Sequence, residues 1–230
     1  MALQKEKTPM KAQEADKRIN NFEEVPLGYS DEEAMQEAER CLQCEHQPCV
    51  DGCPVSVPIP QFIKKVKEGE FSKANEIIKS KNNLPAVCGR VCPQEEQCEE
   101  VCVMGQKFEP VAIGRLERFV SDKALEREES KEKKEAENSE TTKKGKKVAV
   151  VGAGPAGLTA AADLAKEGFE VTLFEALHKT GGVLRYGIPQ FRLPKEIVDQ
   201  EVELIKELGV EIKLNTIIGK TLTFDELRNQ

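Results

Sequence analysis

The sequence predicts a mixed fold: an N-terminal α-helical, cysteine-bearing domain followed by a partial α/β domain of Rossmann-like type. Three observations predict it. Eight cysteines fall within 62 residues, Cys41 to Cys102, and none occurs elsewhere. Residues 126–147, EREESKEKKEAENSETTKKGKK, carry almost no apolar side chain. After them a short apolar run, Lys147 to Val151, leads directly into Gly152-Ala-Gly154-Pro-Ala-Gly157. Domains are therefore expected at 1–125 and 147–230, joined by a charged linker at 126–146.

Residues 1–29 read as irregular and polar. Ser30-Asp-Glu-Glu33 is a capping-box start for a helix expected to run to about Leu42 and to deliver Cys41 and Cys44 at its C-terminal end. Residues 60–68 and 71–80 read as two short amphipathic helices that separate the cysteine groups. A further helix starts near Ala112 and carries Leu116, Phe119 and Val120. In the second domain Lys147–Val151 suits a buried parallel strand, Pro155–Lys166 a helix and Glu170–Phe174 a second strand. Pro194 sits in the first turn of a helix over roughly 195–208, and Val210–Leu214 forms a third strand. Strand–helix–strand alternation argues for a parallel sheet.

Composition narrows the function. The chain has 230 residues, 33% charged and only 5% aromatic, with a net charge of −7. A nucleic-acid-binding face would carry a basic excess, and none is present. No apolar run approaches the roughly 18 residues that span a bilayer, and the N-terminus lacks a signal-peptide core. A cytoplasmic location is expected, where clustered thiols more often bind metal than pair as disulfides.

The cysteines read Cys41-x2-Cys44-x4-Cys49-x3-Cys53-Pro54, then Cys88-x3-Cys92-Pro93-x4-Cys98-x3-Cys102. Structural zinc sites favour paired CxxC spacing, which only Cys41 and Cys44 show. Cys53-Pro54 matches the Cys-Pro ending of ferredoxin runs, in which the last cysteine serves the other cluster. Iron–sulfur clusters are the first hypothesis and zinc the rival. His46 lies within the first group and reads as a bystander.

The glycine fingerprint has the context it requires, between a strand and a helix. Gly152 permits the turn, Gly154 admits a pyrophosphate, and Gly157 lets the helix pack on the strand. Pro155 and Ala156 open the helix, whose free amides attract phosphate. Glu175 ends the second strand, 18 residues after Gly157, where an acid accepts ribose hydroxyls. Gly181-Gly182-Val183 follows the acid. A paired glycine there resembles two-dinucleotide-domain flavoproteins, which implies FAD. Arg192 offers a charge-assisted phosphate contact; His178 reads as a surface residue.

With Glu109-Pro-Val-Ala-Ile-Gly114-Arg-Leu-Glu117-Arg-Phe119 added, the cysteine pattern and the fingerprint resemble the small subunit of NADPH-dependent glutamate synthase. They are equally similar to the large subunit of NADH-dependent reduced ferredoxin:NADP oxidoreductase, and more distantly to the N-terminal region of dihydropyrimidine dehydrogenase. The resemblance covers nearly the whole chain apart from the charged stretch. It implies a helical domain with two [4Fe–4S] clusters, then an FAD domain. Cys41, Cys44, Cys49 and Cys102 would hold one cluster. Cys53, Cys92 and Cys98 would hold the other, with Glu117 as a carboxylate fourth ligand and Cys88 spare. Counting residues alone would give four thiolates to each.

That family is much longer. This chain reaches Gln230 without a second glycine-rich fingerprint. A fragment is therefore expected, or a partner chain that supplies the rest. NADP(H) would bind only the full-length parent, and FAD would bind weakly here. The implied activity is electron transfer between NAD(P)H, FAD and a partner. That partner would be a glutamate synthase large subunit, a second flavoprotein subunit or ferredoxin. The alternative class is a non-catalytic metal-binding assembly module.

Overall fold

A computed structural model describes residues 4–130 and 144–229. They fall into two compact units, Met1–Lys131 and Glu132–Gln230. In the first unit the helices are α1 (Ala15–Arg18), α2 (Asp31–Ala38), α3 (Pro48–Asp51), α4 (Ile59–Lys67), α5 (Phe71–Lys79), α6 (Pro85–Val91) and α7 (Ile113–Ser130). Single 3-10 turns lie at Gln94–Glu96 and Val103–Gln106.

The capping box of α2 forms as its sequence predicts. Glu33 N–H donates to Ser30 Oγ at 3.2 Å, and Ser30 N–H donates to Glu33 Oε2 at 2.8 Å. The helix ends at Ala38, four residues before the expected Leu42. The reason is local: the cysteine loop must reverse, and Gln43 and Gln47 adopt left-handed conformations, at φ 52° and 43°. Cys41 and Cys44 therefore stand on a loop, not on a helix end.

The core of this unit joins α4, α5 and α7. Phe62, Ile63 and Val66 meet Ala74, Ile78, Leu116 and Val120, all fully buried. Phe71 and Phe119 pack edge to face with ring centroids 5.0 Å apart. Each large side chain buried here contributes about 1.5–3 kcal/mol. Cys98 belongs to this core, and Cys41, Cys49, Cys53 and Cys102 pack against it.

The N-terminal segment is irregular apart from α1 and an isolated bridge between Ala12 and Pro26, but it is tied down. Arg40, 1% exposed, donates to the carbonyls of Gln4, Lys5, Glu109 and Pro110 and to Glu37 Oε1. Glu37 in turn accepts from Thr8 N–H at 2.6 Å and Ala112 N–H at 2.8 Å.

The second unit contains β1 (Lys147–Val151), α8 (Pro155–Lys166), β2 (Glu170–Phe174), α9 (Val183–Tyr186), α10 (Lys195–Glu207), β3 (Glu211–Lys213) and α11 (Phe224–Arg228). The sheet is parallel in the order β1-β2-β3, with Val151 opposite Phe174 and Phe174 opposite Lys213. α8 buries Leu158, Ala161, Ala162 and Ala165. Pro194 stands at the N-cap of α10, just before its first turn.

β1 was expected to be buried. Instead Val151 is 61% exposed, because β1 forms the sheet edge among the described residues and is covered on one face. Of the expected linker, residues 126–130 continue α7, while 144–146 already pair with the second unit through Glu170 N–H to Lys146 O at 3.0 Å. Residues 131–143 lie outside those described. No helix among the described residues is long and apolar enough to cross a membrane.

Candidate metal centres and dinucleotide site

Cys41, Cys44 and Cys49 come from the loop after α2 and from α3; Cys102 arrives from the second cysteine group, at the entry to the 3-10 turn Val103–Gln106. All four line one cavity, whose remaining wall is apolar and includes Ile59, Ile63, Met104, Val111 and Ile113. Burial pushes the Cys49 thiol up to about 12, and the nearness of Cys41 and Cys102 adds to this. Cys41 is raised by burial in the same way, with Cys102 and Cys44 contributing. Gln43 Nε2 partly offsets the rise by donating to Cys41 Sγ at 3.3 Å. Four thiolates in an apolar wall repel one another unless a cationic core binds them. A [4Fe–4S] cubane fits that donor set.

All eight cysteines are free thiols. Four-coordinate zinc needs donors about 2.3 Å from one point. Among the described residues no group of three or more His, Cys, Asp or Glu, the four thiols of this cavity included, stands that close to a single ion position. His46 is exposed and lines no part of the cavity above.

The remaining candidates gather through two close backbone contacts. A β-carbon on Gly52 would stand 2.9 Å from Gln97 O, so the chain brings Cys53 beside Cys98. A β-carbon on Gly89 would stand 2.5 Å from Arg118 N, so α6 and α7 approach closely with Cys88 and Glu117 flanking the contact. Burial raises the Cys98 thiol, and Glu99, Glu117 and Cys53 raise it further. Cys88 and Cys92 share a hydrogen bond that splits them: it pushes Cys88 up, reinforced by burial and Glu117, and draws Cys92 down to about 7. Cys92 is thus the better thiolate of the two. Glu117 lies near both Cys88 and Cys98.

Sequence reasoning missed three residues here. Asn82, buried between α5 and α6, donates from Nδ2 to Glu117 Oε1 at 2.8 Å. Glu99, beside Cys98, is buried and pairs with Lys7 at 2.5 Å. Arg40, next to Cys41, carries the buried ion pair with Glu37 at 2.6 Å. A charged or amide side chain beside a cysteine carries no periodic signal, and only its three-dimensional partners reveal it.

In the second unit the glycine loop has the geometry expected of it. Gly152 has φ +97°, and a β-carbon on Gly157 would stand 1.8 Å from Gly152 O. Gly154 caps α8, and Pro155 and Ala156 form its first turn, in which the N–H groups of Ala156 and Gly157 have no intrahelical acceptor. The paired glycines fold over this loop. Gly181 N–H donates to Ala153 O at 2.7 Å, and a β-carbon on Gly182 would stand 2.8 Å from Gly154 Cα. Val183 opens α9 directly beyond them and is largely exposed.

Glu175 is buried and already engaged. Its Oε2 accepts from Ala153 N–H at 2.7 Å and its Oε1 from Leu177 N–H at 2.9 Å. Each carboxylate oxygen retains a second lone pair for a ribose hydroxyl. Arg192 is exposed in the turn before α10. His178 packs edge to face on Tyr186, with centroids 6.1 Å apart.

Comparisons with known proteins agree with this layout. Residues 18–129 match the family described as "Dihydroprymidine dehydrogenase domain II, 4Fe-4S cluster". Residues 150–206 match the NAD(P)-binding Rossmann-like domain. The glutamate synthase [NADPH] small chain of Escherichia coli (strain K12) is 39% identical over 90% of this chain and 43% of its own length. That of Azospirillum brasilense is 38% identical over 94% of this chain and 44% of its own. The NAD-dependent dihydropyrimidine dehydrogenase subunit PreT of Escherichia coli O157:H7 is 42% identical over 91% and 49%. Dihydropyrimidine dehydrogenase relatives, expected to be more distant, thus stand level with glutamate synthase. The chain spans about half the length of the curated relatives it matches.

Proposed function

We propose that the chain is the electron-carrying part of an iron–sulfur flavoprotein oxidoreductase of the glutamate synthase small-chain type, a reading supported by 38–39% identity to two such small chains over 90–94% of its length. The observation that carries this is the meeting of Cys41, Cys44, Cys49 and Cys102 around one apolar cavity, although they come from two separate sequence groups. Cys53, Cys92 and Cys98, with Glu117, form the second site. Two clusters would accept electrons singly from a flavin, which handles both one- and two-electron steps, and deliver them to a partner subunit.

The protein's own contribution is placement. The apolar wall of the first cavity excludes water from its thiolates. Gly52 and Gly89 hold the donors of the second site together by close backbone contact. In the second unit Gly152, Gly154 and Gly157, with the start of α8, would receive the pyrophosphate of FAD, and Glu175 its ribose. FAD is favoured over NAD(P) because the paired Gly181 and Gly182 fold onto the fingerprint loop, the arrangement that the resemblance to two-dinucleotide-domain flavoproteins implies.

Anaerobic reconstitution with iron and sulfide tests the proposal. The expected product is brown, bleaches with dithionite, and shows two reduced-cluster EPR signals. A colourless protein that retains stoichiometric zinc instead would overturn it and leave a structural metal-binding module. The partner is proposed as the large subunit of a glutamate synthase-like enzyme or a second flavoprotein subunit, since the relatives are themselves named as a small chain and a subunit. Pull-down by the reconstituted protein distinguishes these from ferredoxin.

A further inference from the structure

We propose that Asn82 is a positioning residue that turns Glu117, in preference to Cys88, toward the second cluster. This rests on the carboxylate-ligand proposal above and adds how the choice between two adjacent donors is made. Asn82 lies just beyond α5, where its N–H donates to Ile78 O at 2.9 Å, and it is 6% exposed. It is therefore fixed to the core and not to the cysteine loops.

The amide has one acceptor end and one donor end, and the structure fixes which faces where. Leu84 N–H, which can only donate, reaches Asn82 Oδ1 at 3.0 Å. Nδ2 must then face the other way, and it donates to Glu117 Oε1 at 2.8 Å. The same Oδ1 lies 3.7 Å from Cys88 Sγ. The two rival ligands thus meet opposite ends of one side chain. Glu117 receives a hydrogen bond that suits a carboxylate. Cys88 Sγ–H in turn donates to Oδ1, so the amide holds the thiol on its acceptor side.

The backbone leaves little freedom to escape this. The Gly89–Arg118 contact sets Cys88 and Glu117 at one level of the α6–α7 interface. Ser121 Oγ donates to Glu117 O at 2.8 Å, adding a side-chain tie at that turn of α7. A partner that hydrogen-bonds a metal ligand sets its orientation and donor strength, and so the potential of the cluster.

The test is a redox titration followed by EPR on the full chain, reconstituted anaerobically, with Asn82→Asp and Asn82→Ser. Asp replaces the donor by an anion facing Glu117. Ser retains an acceptor near Leu84 N–H but is too short to reach Glu117. The expected result for both is a shifted midpoint potential and an altered EPR line shape for one cluster, with the other cluster unchanged. In combination with Cys88→Ala, which alone leaves both signals intact, Asn82→Asp is expected to lose the altered cluster.

Wild-type signals and potential in both Asn82 variants, alongside a changed signal in Glu117→Ala, would overturn the role of Asn82 alone. Unchanged spectra in Glu117→Ala would overturn carboxylate ligation itself. If Asn82→Asp fails to fold, as judged by circular dichroism, Asn82→Ser decides.

Discussion

Gly89 of α6 lies against the backbone of Arg118 in α7, so closely that an added β-carbon would stand 2.5 Å from the Arg118 nitrogen. Gly52 stands to Gln97 in much the same way, at 2.9 Å from its carbonyl oxygen. In both cases the residues next in sequence flank the proposed second site: the ligands Glu117, Cys53 and Cys98, and the spare Cys88. Gly89→Ala must separate α6 from α7. Overpacking of this kind costs about 1–3 kcal/mol. The expected outcome is a lower thermal midpoint together with loss of one cluster signal, read by EPR. A Gly89→Ala protein with both signals at wild-type intensity would contradict the packing account.

Cys49 and Cys102 lie 53 residues apart in sequence but line one cavity. Replacing either by alanine is expected to remove the same EPR signal and spare the other. Cys53→Ala and Cys98→Ala should remove the remaining one. The decisive comparison is Cys98 with Cys102, close neighbours that are proposed to belong to different sites. If both variants lost the same signal, the crossover of ligands between groups would be wrong. Removing iron with a chelator is expected to lower the melting temperature of the first unit, since Ile59 and Ile63 of α4 form part of the cavity wall.

Arg40 satisfies four backbone carbonyls and one carboxylate while almost wholly buried. Arg40→Met removes every one of those donors and leaves Glu37 a buried charge with only the Thr8 and Ala112 amides to offset it. Breaking a buried pair from one side costs about 3–5 kcal/mol. Urea unfolding of the first unit should show a loss of that order, with the N-terminal segment becoming protease-sensitive first. A loss below about 1 kcal/mol would mean that the pair is solvated in solution.

The two predicted amphipathic helices at 60–68 and 71–80 appear as α4 and α5, because a repeating apolar face is a property of the sequence itself. The strand–glycine–helix unit was legible for the same reason: Gly157 can be nothing larger when its β-carbon would meet Gly152 O at 1.8 Å. The end of α2 was not legible. Ala34, Ala38, Cys41 and Leu42 keep helical spacing, yet the reversal at Gln43 depends on contacts such as its hydrogen bond to Pro60 O at 2.9 Å. α6 was missed too: it is short, carries Gly89, and is held by packing on α7. The partial exposure of β1 was illegible because Lys147 to Val151 is apolar on both faces.

Glu175 has an observed structural role and a proposed ribose-binding one, and one substitution separates them from the role proposed for Arg192. Both of its carboxylate oxygens accept backbone N–H groups, from Ala153 in the glycine loop and Leu177 beyond β2. Glutamine offers one acceptor and one donor, so in Glu175→Gln one of those amides must face an NH2 group. An unsatisfied buried donor costs about 1–3 kcal/mol. The variant should therefore melt earlier in the second unit and also bind FAD at least about tenfold more weakly, a difference of about 1.4 kcal/mol. Arg192→Ala touches nothing buried, so it should weaken FAD binding while leaving the melting temperature unchanged. Flavin fluorescence titration measures the first quantity and differential scanning calorimetry the second. Wild-type FAD affinity in Glu175→Gln would remove the ribose role, and a wild-type melting curve would remove the structural one.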